Sequence, residues 1–538
     1  MKLEQNVLPV QNKIMTHYWD RQSDIQSFFD YAYNEDAFQE RAQYLSTKTY
    51  DTTQLSNIVR SYMAPFGLSE ASEHHLKELA AGAYVIVGGQ QAGLLTGPMY
   101  SMHKAISVIL LAKQQREKLG KQVVPLFWIA GEDHDIEEIN HTYTTVDASL
   151  KKRVYKERSK RKTMASTTAI NKEEMEQFVR TVFADFGETQ YTKDLLHNVL
   201  MHLHASKTFT DFFTALMNEL FAKHGLLMLD AAFPAFRQYE ANFFVRLIER
   251  NEEIAQVVVA QEEAFNQAGY GKPIEATVNN ANLFFVQDGE RFLLERKDNY
   301  YTNALGHIKL TKEQLLEIAR QTPEKLSNNV VTRPLMQEMT IPVLAFVGGP
   351  GELAYWATLK PAFSLLNLQM PIFAPRLNIT LVPRTVQPLL AQNDLTVQDV
   401  TRGHAEQLKN RFIEEVQDEQ AKEKIAQMQQ QLIAQYEELE KHLHGEQLDL
   451  RNVILKNKQY HCMQFDYLTS KIEQEVLRKH DVKIKQFNLI IAELFPNNNL
   501  QERLFNPYQY LNLYGPTLID SLIELYLVPS DQHNCITL

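Results

Sequence analysis

No proline occurs between Pro388 and Pro496, and this stretch is dominated by Glu, Gln, Lys and Leu. Proline breaks helix interiors, so its absence over such a length permits unusually long helices. Apolar residues recur in steps of three and four, which is typical of a helical seam with coiled-coil character. These residues are Ile425, Met428, Leu432, Tyr436, Leu439 and Leu443. We therefore expect two long antiparallel helices in an arm over residues 389–500, interrupted near Gly445.

Residues 1–388 follow a different pattern, in which short β-rich runs alternate with helical runs. The apolar runs that we interpret as buried strands are 84–87, 123–129, 226–229, 343–347 and 372–374. Such alternation favours a parallel sheet with right-handed crossovers. The predicted fold class is therefore α/β, with a Rossmann-like doubly wound core. We expect insertions at about 145–225, which reads as helical and basic, and at about 255–335, with a hairpin turning at Asp288-Gly289. Residues 501–538 are expected to fold back.

The composition excludes several classes of protein. Lys and Arg number 55 against 66 Asp and Glu, a net charge of −11, which argues against nucleic acid as a partner. Two distant cysteines, Cys462 and Cys535, exclude a disulfide framework and a cysteine-based zinc site. No apolar run reaches the roughly 18–20 residues that cross a bilayer. Residues 1–20 lack the apolar core of a signal peptide, so we expect no membrane association and a cytoplasmic location.

The densest motif follows the first predicted strand. Four glycines occur between residues 88 and 97, and a helix predicted from residue 101 carries His103 and Lys104 one turn in. Glycines let backbone N–H groups approach a ligand, and a helix N-terminus favours anions. We predict that His103 and Lys104 are catalytic and stabilise developing phosphate charge. The predicted binding residues are Gly88, Gly89, Gln90, Gln91, Gly93, Thr96, Gly97 and Tyr100. The alternative is a glycine turn that packs the helix against the sheet, with His103 buried.

A second motif follows the strand predicted at 123–129 and reads Glu132-Asp133-His134-Asp135. In open α/β sheets, ligands bind at the carboxyl ends of the strands. We predict that Asp133 and His134 are catalytic and that Glu132 and Asp135 bind substrate. The carboxylates could hold an ammonium group, bind Mg²⁺ or act as a base, and His134 could shuttle a proton. The alternative is a solvated acidic helix N-terminus, and we expect no tightly bound transition metal.

A third motif contributes Gly349, Gly351 and Glu352 after the strand predicted at 343–347. No acidic residue occurs between Glu352 and Asp394, which argues against a dinucleotide site and favours a mononucleotide or an amino acid.

Arginine and aromatic residues supply weaker candidates. Arg333 and Arg376 lie at predicted segment ends and could clamp a carboxylate or phosphate, although packing roles are the alternative. A possible second nucleotide site is predicted from side chains that could stack a base, the alternative being a packed tail. Its residues are Arg503, Asn506, Tyr510 and Tyr514.

The stretches 88–104, 127–141 and 346–356 resemble the BshC family of bacillithiol biosynthesis, and the likeness covers essentially the whole chain. The resemblance implies a Rossmann-like core with two insertions and a coiled-coil domain that forms a homodimer. It also implies a ligase that joins the carboxylate of cysteine to the amine of glucosaminyl-malate. ATP is the implied cofactor, with Mg²⁺ as a further candidate.

That family is in turn similar to class I aminoacyl-tRNA synthetases, whose His-x-Gly-His signature would fall at residues 100–103 and keeps only His103. Their Lys-Met-Ser-Lys-Ser loop has no match here, and Arg376 and Arg384 lie roughly where it would fall. ATP would activate the carboxylate as an acyl-adenylate or an acyl-phosphate. Two alternatives stay open: a nucleotide-binding dimeric scaffold, and a nucleotidyltransferase that acts on another small molecule.

Overall fold

The computed structural model describes residues 2–6, 13–156, 161–445 and 450–538. The chain forms two compact units. The core unit comprises residues 1–146, 150–382 and 499–538, and the helical unit comprises residues 147–149 and 383–498. The sequence predicted that the core would end at residue 388 and the arm at residue 500. In the structure the core unit ends at residue 382 and resumes at residue 499.

A five-stranded parallel sheet forms the centre of the core unit. Its strands are β1 (Tyr84–Gln90), β2 (Val123–Ile129), β3 (Leu227–Asp230), β4 (Val343–Gly348) and β5 (Ile372–Pro375). The spatial order is β5-β4-β1-β2-β3, and neighbouring strands are all parallel. Strands buried on both faces are mainly apolar, which explains why all five could be predicted from the sequence. The prediction of a doubly wound α/β core is confirmed. The strand order reverses between β1 and β4, which makes this the switch point of the sheet.

The helices of the core unit surround the sheet and form much of the insertions. They are Lys13–Trp19, Ser23–Gln26, Glu35–Ser46, Thr52–Met63, Glu70–Ala80, Met99–Leu119, Ile136–Ile139, Lys172–Phe186, Thr192–Ala205, Phe209–Phe221, Pro234–Glu249, Asn251–Gln267, Lys312–Gln321, Thr332–Thr340, Pro350–Trp356, Lys360–Leu365, Gln501–Leu504, Pro507–Tyr514 and Leu518–Glu524. The segment that follows β4 forms two helices, Pro350–Trp356 and Lys360–Leu365. Pro361 falls at the first turn of the second helix, where proline is tolerated.

The first insertion differs from its prediction. It opens with a hairpin of strands His141–Val146 and Ser149–Val154, so the basic residues Lys151 to Arg153 lie on a strand and not on a helix. Part of the basic run, residues 157–160, lies outside the described residues. Helices follow only from Lys172 onward.

The second insertion contains an antiparallel sheet of strands Asn280–Gln287, Glu290–Lys297, Tyr300–Thr302, Lys309–Leu310 and Leu326–Asn328. The predicted hairpin is confirmed. Its two-residue turn, Asp288-Gly289, has φ values of 53° and 81°, which suit the right-handed twist of the flanking strands.

The last residues of the chain belong to the core unit. Strand His533–Thr537 pairs antiparallel with Lys2–Asn6 and parallel with Ile379–Val382. The short helix Gln501–Leu504 precedes it and brings Glu502 into the interior, where its side chain is 1% exposed. Residues from three distant parts of the sequence therefore meet beside the end of β5.

The helical unit contains helices Gln387–Gln392, Val397–Thr401, His404–Val416, Glu419–Gly445, Arg451–Lys479 and Asp481–Leu494. The two long helices are antiparallel, since Lys422 pairs with Glu473 at 3.2 Å and Arg451 pairs with Glu440 at 2.9 Å. The predicted helical hairpin is thus confirmed. Ile425 is buried in the seam, as expected from the three- and four-residue spacing, whereas Met428 and Leu439 are exposed.

Candidate active site

Lys104 lies beneath the switch point and connects the ends of β1 and β4. Its ammonium group donates to Gly89 O at 2.7 Å, Gln90 Oε1 at 3.2 Å and Glu352 Oε2 at 2.7 Å. Burial lowers the pKa of Lys104, and Glu352 opposes that shift. The Met99–Leu119 helix holds Lys104 in this position because it packs closely on β1. A Cβ atom at Gly88 would lie 2.6 Å from Val108 Cγ2, so this glycine is required by packing.

The protein contacts of the Glu352 carboxylate are made by one of its two oxygens. Its Oε2 accepts hydrogen bonds from Lys104 and from the Gly349 N–H, at 2.8 Å, while the side chain stays 24% exposed. This geometry leaves Oε1 available to a ligand. Gly351 borders the same loop, and a Cβ atom there would meet nothing within 4 Å. The third predicted motif therefore lies beside the first, at the switch point.

Arg333 adds a positive charge to this place. Its guanidinium donates to the Tyr355 hydroxyl and, at 3.4 Å, to Gln337 Oε1, and it lies 5.3 Å from the Phe346 ring. Both of these hydrogen-bond acceptors are neutral. The positive charges of Arg376 and Arg333 add to the lowering of the pKa of Lys104 by burial. We call Lys104, Arg333 and Glu352 the switch-point cluster.

Asp133 joins the second motif to the first. Its Oδ2 accepts from Gln91 Nε2 at 2.7 Å, and its Oδ1 accepts from the backbone N–H of His134 at 2.7 Å. The Gln91 amide also donates to Glu138 Oε2 at 2.8 Å. The ends of β1 and β2 are thus held together by side chains, and both Asp133 and Asp135 remain partly exposed.

His134 meets a residue of the inserted antiparallel sheet. Arg291 Nη1 donates to His134 Nδ1 at 3.3 Å, and the guanidinium lies 3.6 Å from the Phe284 ring. Burial lowers the pKa of His134, and the positive charge of Arg291 lowers it further. The second insertion therefore contributes directly to the carboxyl edge of β2.

Glu132 is not exposed with its neighbours. It is buried, accepts a hydrogen bond from Arg237, and its Oε2 lies 3.3 Å from the Asn328 N–H. Arg237 also donates to Glu240 at 2.7 Å. This internal ion network packs β2 against the insertion, so the structure gives Glu132 no access to a substrate, in contrast to the expectation from sequence.

His103 also differs from its expected placement. Its side chain is fully buried, and Nδ1 lies 2.9 Å from Glu502 Oε2. Arg376 forms two hydrogen bonds with the same carboxylate, at 2.9 and 2.6 Å. Burial would raise the pKa of Glu502, but Arg376 and His103 outweigh burial and hold it well below its usual range. We call His103, Arg376 and Glu502 the buried cluster.

The buried cluster touches the switch point through Tyr100 and Arg376. The Arg376 guanidinium lies 5.8 Å from the Tyr100 ring, and Arg376 Nε would be 3.5 Å from a Cβ atom on Gly349. Tyr100 is partly exposed, and its hydroxyl lies 3.5 Å from Gln90 Nε2. Burial raises the pKa of Tyr100. These contacts place Tyr100 and Gln90 on the exposed side and His103 on the closed side.

The glycine loop between β1 and the long helix is filled by protein. Gly93 packs against Gly97, since a Cβ atom at Gly93 would lie 2.7 Å from the Gly97 Cα. Asn506 Nδ2 donates to the carbonyls of Leu95 at 2.7 Å and Gly97 at 3.1 Å. Leu95 and Thr96 have φ values of 50° and 69°, a costly conformation that the Asn506 bonds help to hold. The loop therefore does not offer its glycines to a ligand as we expected.

Gly89 is also required by packing, because a Cβ atom there would lie 2.5 Å from Trp128 O. The four residues of the possible second nucleotide site differ in exposure. Asn506 and Tyr510 are buried, Tyr514 is half-buried and Arg503 is exposed.

The described residues contain no cluster of three or more His, Cys, Asp or Glu side chains suited to a metal ion. Among the same residues, none of the helices has the length and apolar character required to cross a bilayer.

Sequence reasoning missed Glu502 and Arg291 and gave Arg333 too little weight. Glu502 and Arg291 lie 399 and 157 positions from their histidine partners, so no local spacing could have linked them. For Arg333, the available signal was its place at the start of a helix that leads into β4.

Comparison with known proteins identifies the chain. The family model for the N-terminal Rossmann-like domain of bacillithiol biosynthesis BshC matches residues 1–377, and the model for the C-terminal coiled-coil domain of BshC matches residues 379–538. The chain belongs to the BshC family. Curated relatives named BshC align with this chain over nearly their full length. A protein of Lysinibacillus sphaericus is 55% identical over 97% of both chains, and one of Geobacillus kaustophilus is 39% identical over the whole of both. Each relative is named "Putative cysteine ligase BshC".

Proposed function

We propose that this BshC family member is a ligase that joins the carboxylate of cysteine to the amine of glucosaminyl-malate, with ATP as the third substrate that activates the carboxylate. The relatives named as cysteine ligases support the reaction class. The observation that carries the proposal is the switch-point cluster. Among the described residues, Arg333 donates only to neutral acceptors, and Glu352 Oε1 has no hydrogen-bond partner.

The donor set fits a nucleotide and an amino acid. Phosphate groups require cations, and Lys104 and Arg333 supply two at the place where doubly wound sheets bind ligands. Lys104 is 2% exposed and its ammonium already donates to three protein acceptors, so it would support a bound anion through its charge and through Glu352, while Arg333 makes the contact. Glu352 Oε1 would accept from a ribose hydroxyl or a substrate ammonium group. Mg²⁺, where required, would enter with the nucleotide, since the described residues hold no three-ligand cluster for it.

The second step requires a nucleophilic amine. The amine nitrogen forms a bond to the carbonyl carbon of activated cysteine, the carbon–oxygen bond to the phosphoryl group breaks, and that group leaves with the electron pair. Asp133 and Asp135 are partly exposed at the end of β2 and would hold the acceptor ammonium and receive its proton. Tyr100 and Gln90 border the same crevice. His103 has no direct role in this scheme because it is fully buried.

The decisive experiment mixes purified protein with cysteine, ATP and glucosaminyl-malate and follows the amide thiol by mass spectrometry. We expect product from the protein alone, with release of either pyrophosphate and AMP or phosphate and ADP. The released species distinguishes an acyl-adenylate from an acyl-phosphate.

The outcomes separate the proposal from its alternatives. Product that forms only when another protein is added would support a scaffold. Pyrophosphate release with a different small molecule, and none with cysteine, would support a nucleotidyltransferase. Arg333→Met should lower kcat/KM for ATP by about 10²-fold, the scale of one lost charge-stabilising group. Arg320→Met, an exposed arginine on a core helix, is the control.

We also propose that the helical unit mediates a homodimer. On helix Arg451–Lys479, Val453, Tyr460 and Tyr467 recur at seven-residue steps and are 64%, 55% and 59% exposed. A heptad stripe of this kind suits a coiled-coil partner. Tyr460→Asp with Tyr467→Asp should give a monomer in sedimentation experiments. An unchanged dimer would place the interface elsewhere.

A further inference from the structure

Arg291 is held rigidly at the edge of the candidate site. Its Nε donates to Ser327 Oγ at 2.8 Å, and its Nη2 donates to Asn328 O at 2.6 Å. The guanidinium stacks on the Phe284 ring at 3.6 Å and is 6% exposed. These contacts fix three sides of the group and direct Nη1 toward His134.

The contact between Arg291 and His134 determines the position of the imidazole proton. A guanidinium group has donors only, so His134 Nδ1, at 3.3 Å from Nη1, must accept. A neutral imidazole whose Nδ1 accepts carries its proton on Nε2. Asp135 Oδ1 lies 3.8 Å from Nε2, beyond hydrogen-bonding distance, and the His134 side chain is 13% exposed. The Nε2–H group therefore has no hydrogen-bond partner among the described residues, and it lies at the carboxyl edge of β2.

We propose that Arg291 is a positioning residue that fixes the Nε2–H form of His134, so that His134 serves the ligase as a hydrogen-bond donor and not as a proton acceptor. The inference rests on the proposed function. The Nε2–H group would donate to the carbonyl oxygen of the activated cysteine, on which negative charge develops as the amine attacks. Proton removal from the amine then falls to Asp133 and Asp135.

The charged groups around His134 are consistent with a neutral imidazole at pH 7. Burial lowers its pKa, Arg291 and Lys162 act in the same direction, and Asp135 and Asp133 oppose them. Protonation would place Nδ1–H against the Arg291 guanidinium. A general base at this position would instead need a ring-nitrogen lone pair that faces the substrate. In neutral His134 with its proton on Nε2, the one lone pair is on Nδ1, and Arg291 donates to it.

The first test is spectroscopic and does not depend on activity. Nitrogen-15 labelling of histidine, with the His134 signals assigned by their loss in His134→Gln, reports which ring nitrogen bears the proton. We expect the Nε2–H form at neutral pH in the full-length protein, and the Nδ1–H form would overturn the proposal. If the wild-type protein makes no product, the proposed function fails, while the spectrum still decides the tautomer.

The second test compares two amide replacements of similar size. A glutamine amide can place an N–H near the position of Nε2, whereas an asparagine amide reaches only the position of Nδ1. His134→Gln should keep kcat within about tenfold of the wild type, and His134→Asn should lose about 10²-fold, as for a lost donor to developing charge. Equal inactivity of both variants would indicate a proton acceptor and contradict the proposal.

The third test addresses Arg291 itself. In Arg291→Met, the titration midpoint of His134 should move to higher pH because a positive neighbour is lost, and kcat should fall about tenfold, the scale of one hydrogen bond to a charged group. Arg291→Lys should restore part of both. Arg296→Met, on the same strand, is the matched control and should change neither. An unmoved His134 midpoint in Arg291→Met would show that Arg291 acts only in packing.

Discussion

The switch-point cluster and the buried cluster begin at neighbouring residues of one helix, Lys104 and His103, yet they differ in access and in charge balance. In the buried cluster, Arg376 and Glu502 neutralise each other through two hydrogen bonds. In the switch-point cluster, Arg333 has neutral hydrogen-bond partners, and Glu352 remains partly exposed. Residues of the same types therefore have different roles in the two clusters. A matched internal ion pair holds elements together, whereas an unmatched cation at a crevice is prepared for an anion.

The largest expected effect is on stability and concerns Glu502. Glu502→Ala leaves the buried Arg376 guanidinium without its carboxylate, and removal of one partner from a buried ion pair costs about 3–5 kcal/mol. Urea denaturation should show a correspondingly lower free energy of unfolding. Glu352→Ala is the comparison variant. It also removes the carboxylate partner of a buried cation, but Lys104 keeps Gly89 O and Gln90 Oε1 as acceptors and, unlike arginine, can lose its proton, so this variant should cost less. Equal losses in the two variants would erase the distinction between the clusters.

The next effect is on turnover and concerns Lys104. Lys104→Met keeps the length of the side chain but removes the ammonium group, so product formation should fall by about 10²–10³-fold. Lys113→Met changes an exposed lysine on the same helix and should leave turnover unchanged. Near-normal turnover of folded Lys104→Met would remove the switch-point cluster from the mechanism.

A smaller effect is expected for His103, and it should appear in stability and not in chemistry. His103→Ala removes a buried hydrogen bond to a carboxylate, which costs about 1.5–3 kcal/mol. His103→Asn can still donate to Glu502 from an amide near the Nδ1 position, so it should recover part of the loss in thermal denaturation. Turnover per folded molecule should stay within about threefold in both. A selective loss of about 10²-fold in turnover would return His103 to the reacting groups.

The smallest effect is expected for Gln91, which orients Asp133 without a charge of its own. Gln91→Ala removes one neutral hydrogen bond to that carboxylate, and we expect a decrease of about threefold to tenfold in kcat/KM for the amine acceptor. The melting temperature should not change, because Gln91 is partly exposed. An equal decrease for ATP would mean that Asp133 contacts the nucleotide instead.

Much of the fold could be predicted because burial determines composition. The runs at 123–129 and 343–347 are apolar on both faces of their strands, and the helical seam at Ile425 follows the helix period. The glycines were misleading as a sign of a ligand-binding loop. Gly88 and Gly93 lack side chains because a helix and a second loop segment approach them, and sequence does not distinguish that need from the approach of a ligand.

The site was less predictable because its charges are matched across long distances in the chain. Nothing near His103 indicates Glu502, and nothing near His134 indicates Arg291. Both partners come from segments whose position depends on the completed fold. By contrast, Glu352 and Asp133 follow strands directly, and the rule that ligands bind at carboxyl strand ends was sufficient to select them.

The pairing of Lys2–Asn6 with His533–Thr537 affects how the protein is made. During synthesis, strand Lys2–Asn6 leaves the ribosome long before its partner strand exists. Arg376 and His103 likewise cannot pair with Glu502 until residues 383–498 have been translated. The hairpin of long helices can form early, since its contacts are local, whereas the three-stranded sheet of Lys2–Asn6, His533–Thr537 and Ile379–Val382 is completed only after residue 537 has been translated. A truncation that removes His533–Thr537 would therefore leave Lys2–Asn6 without its paired strand.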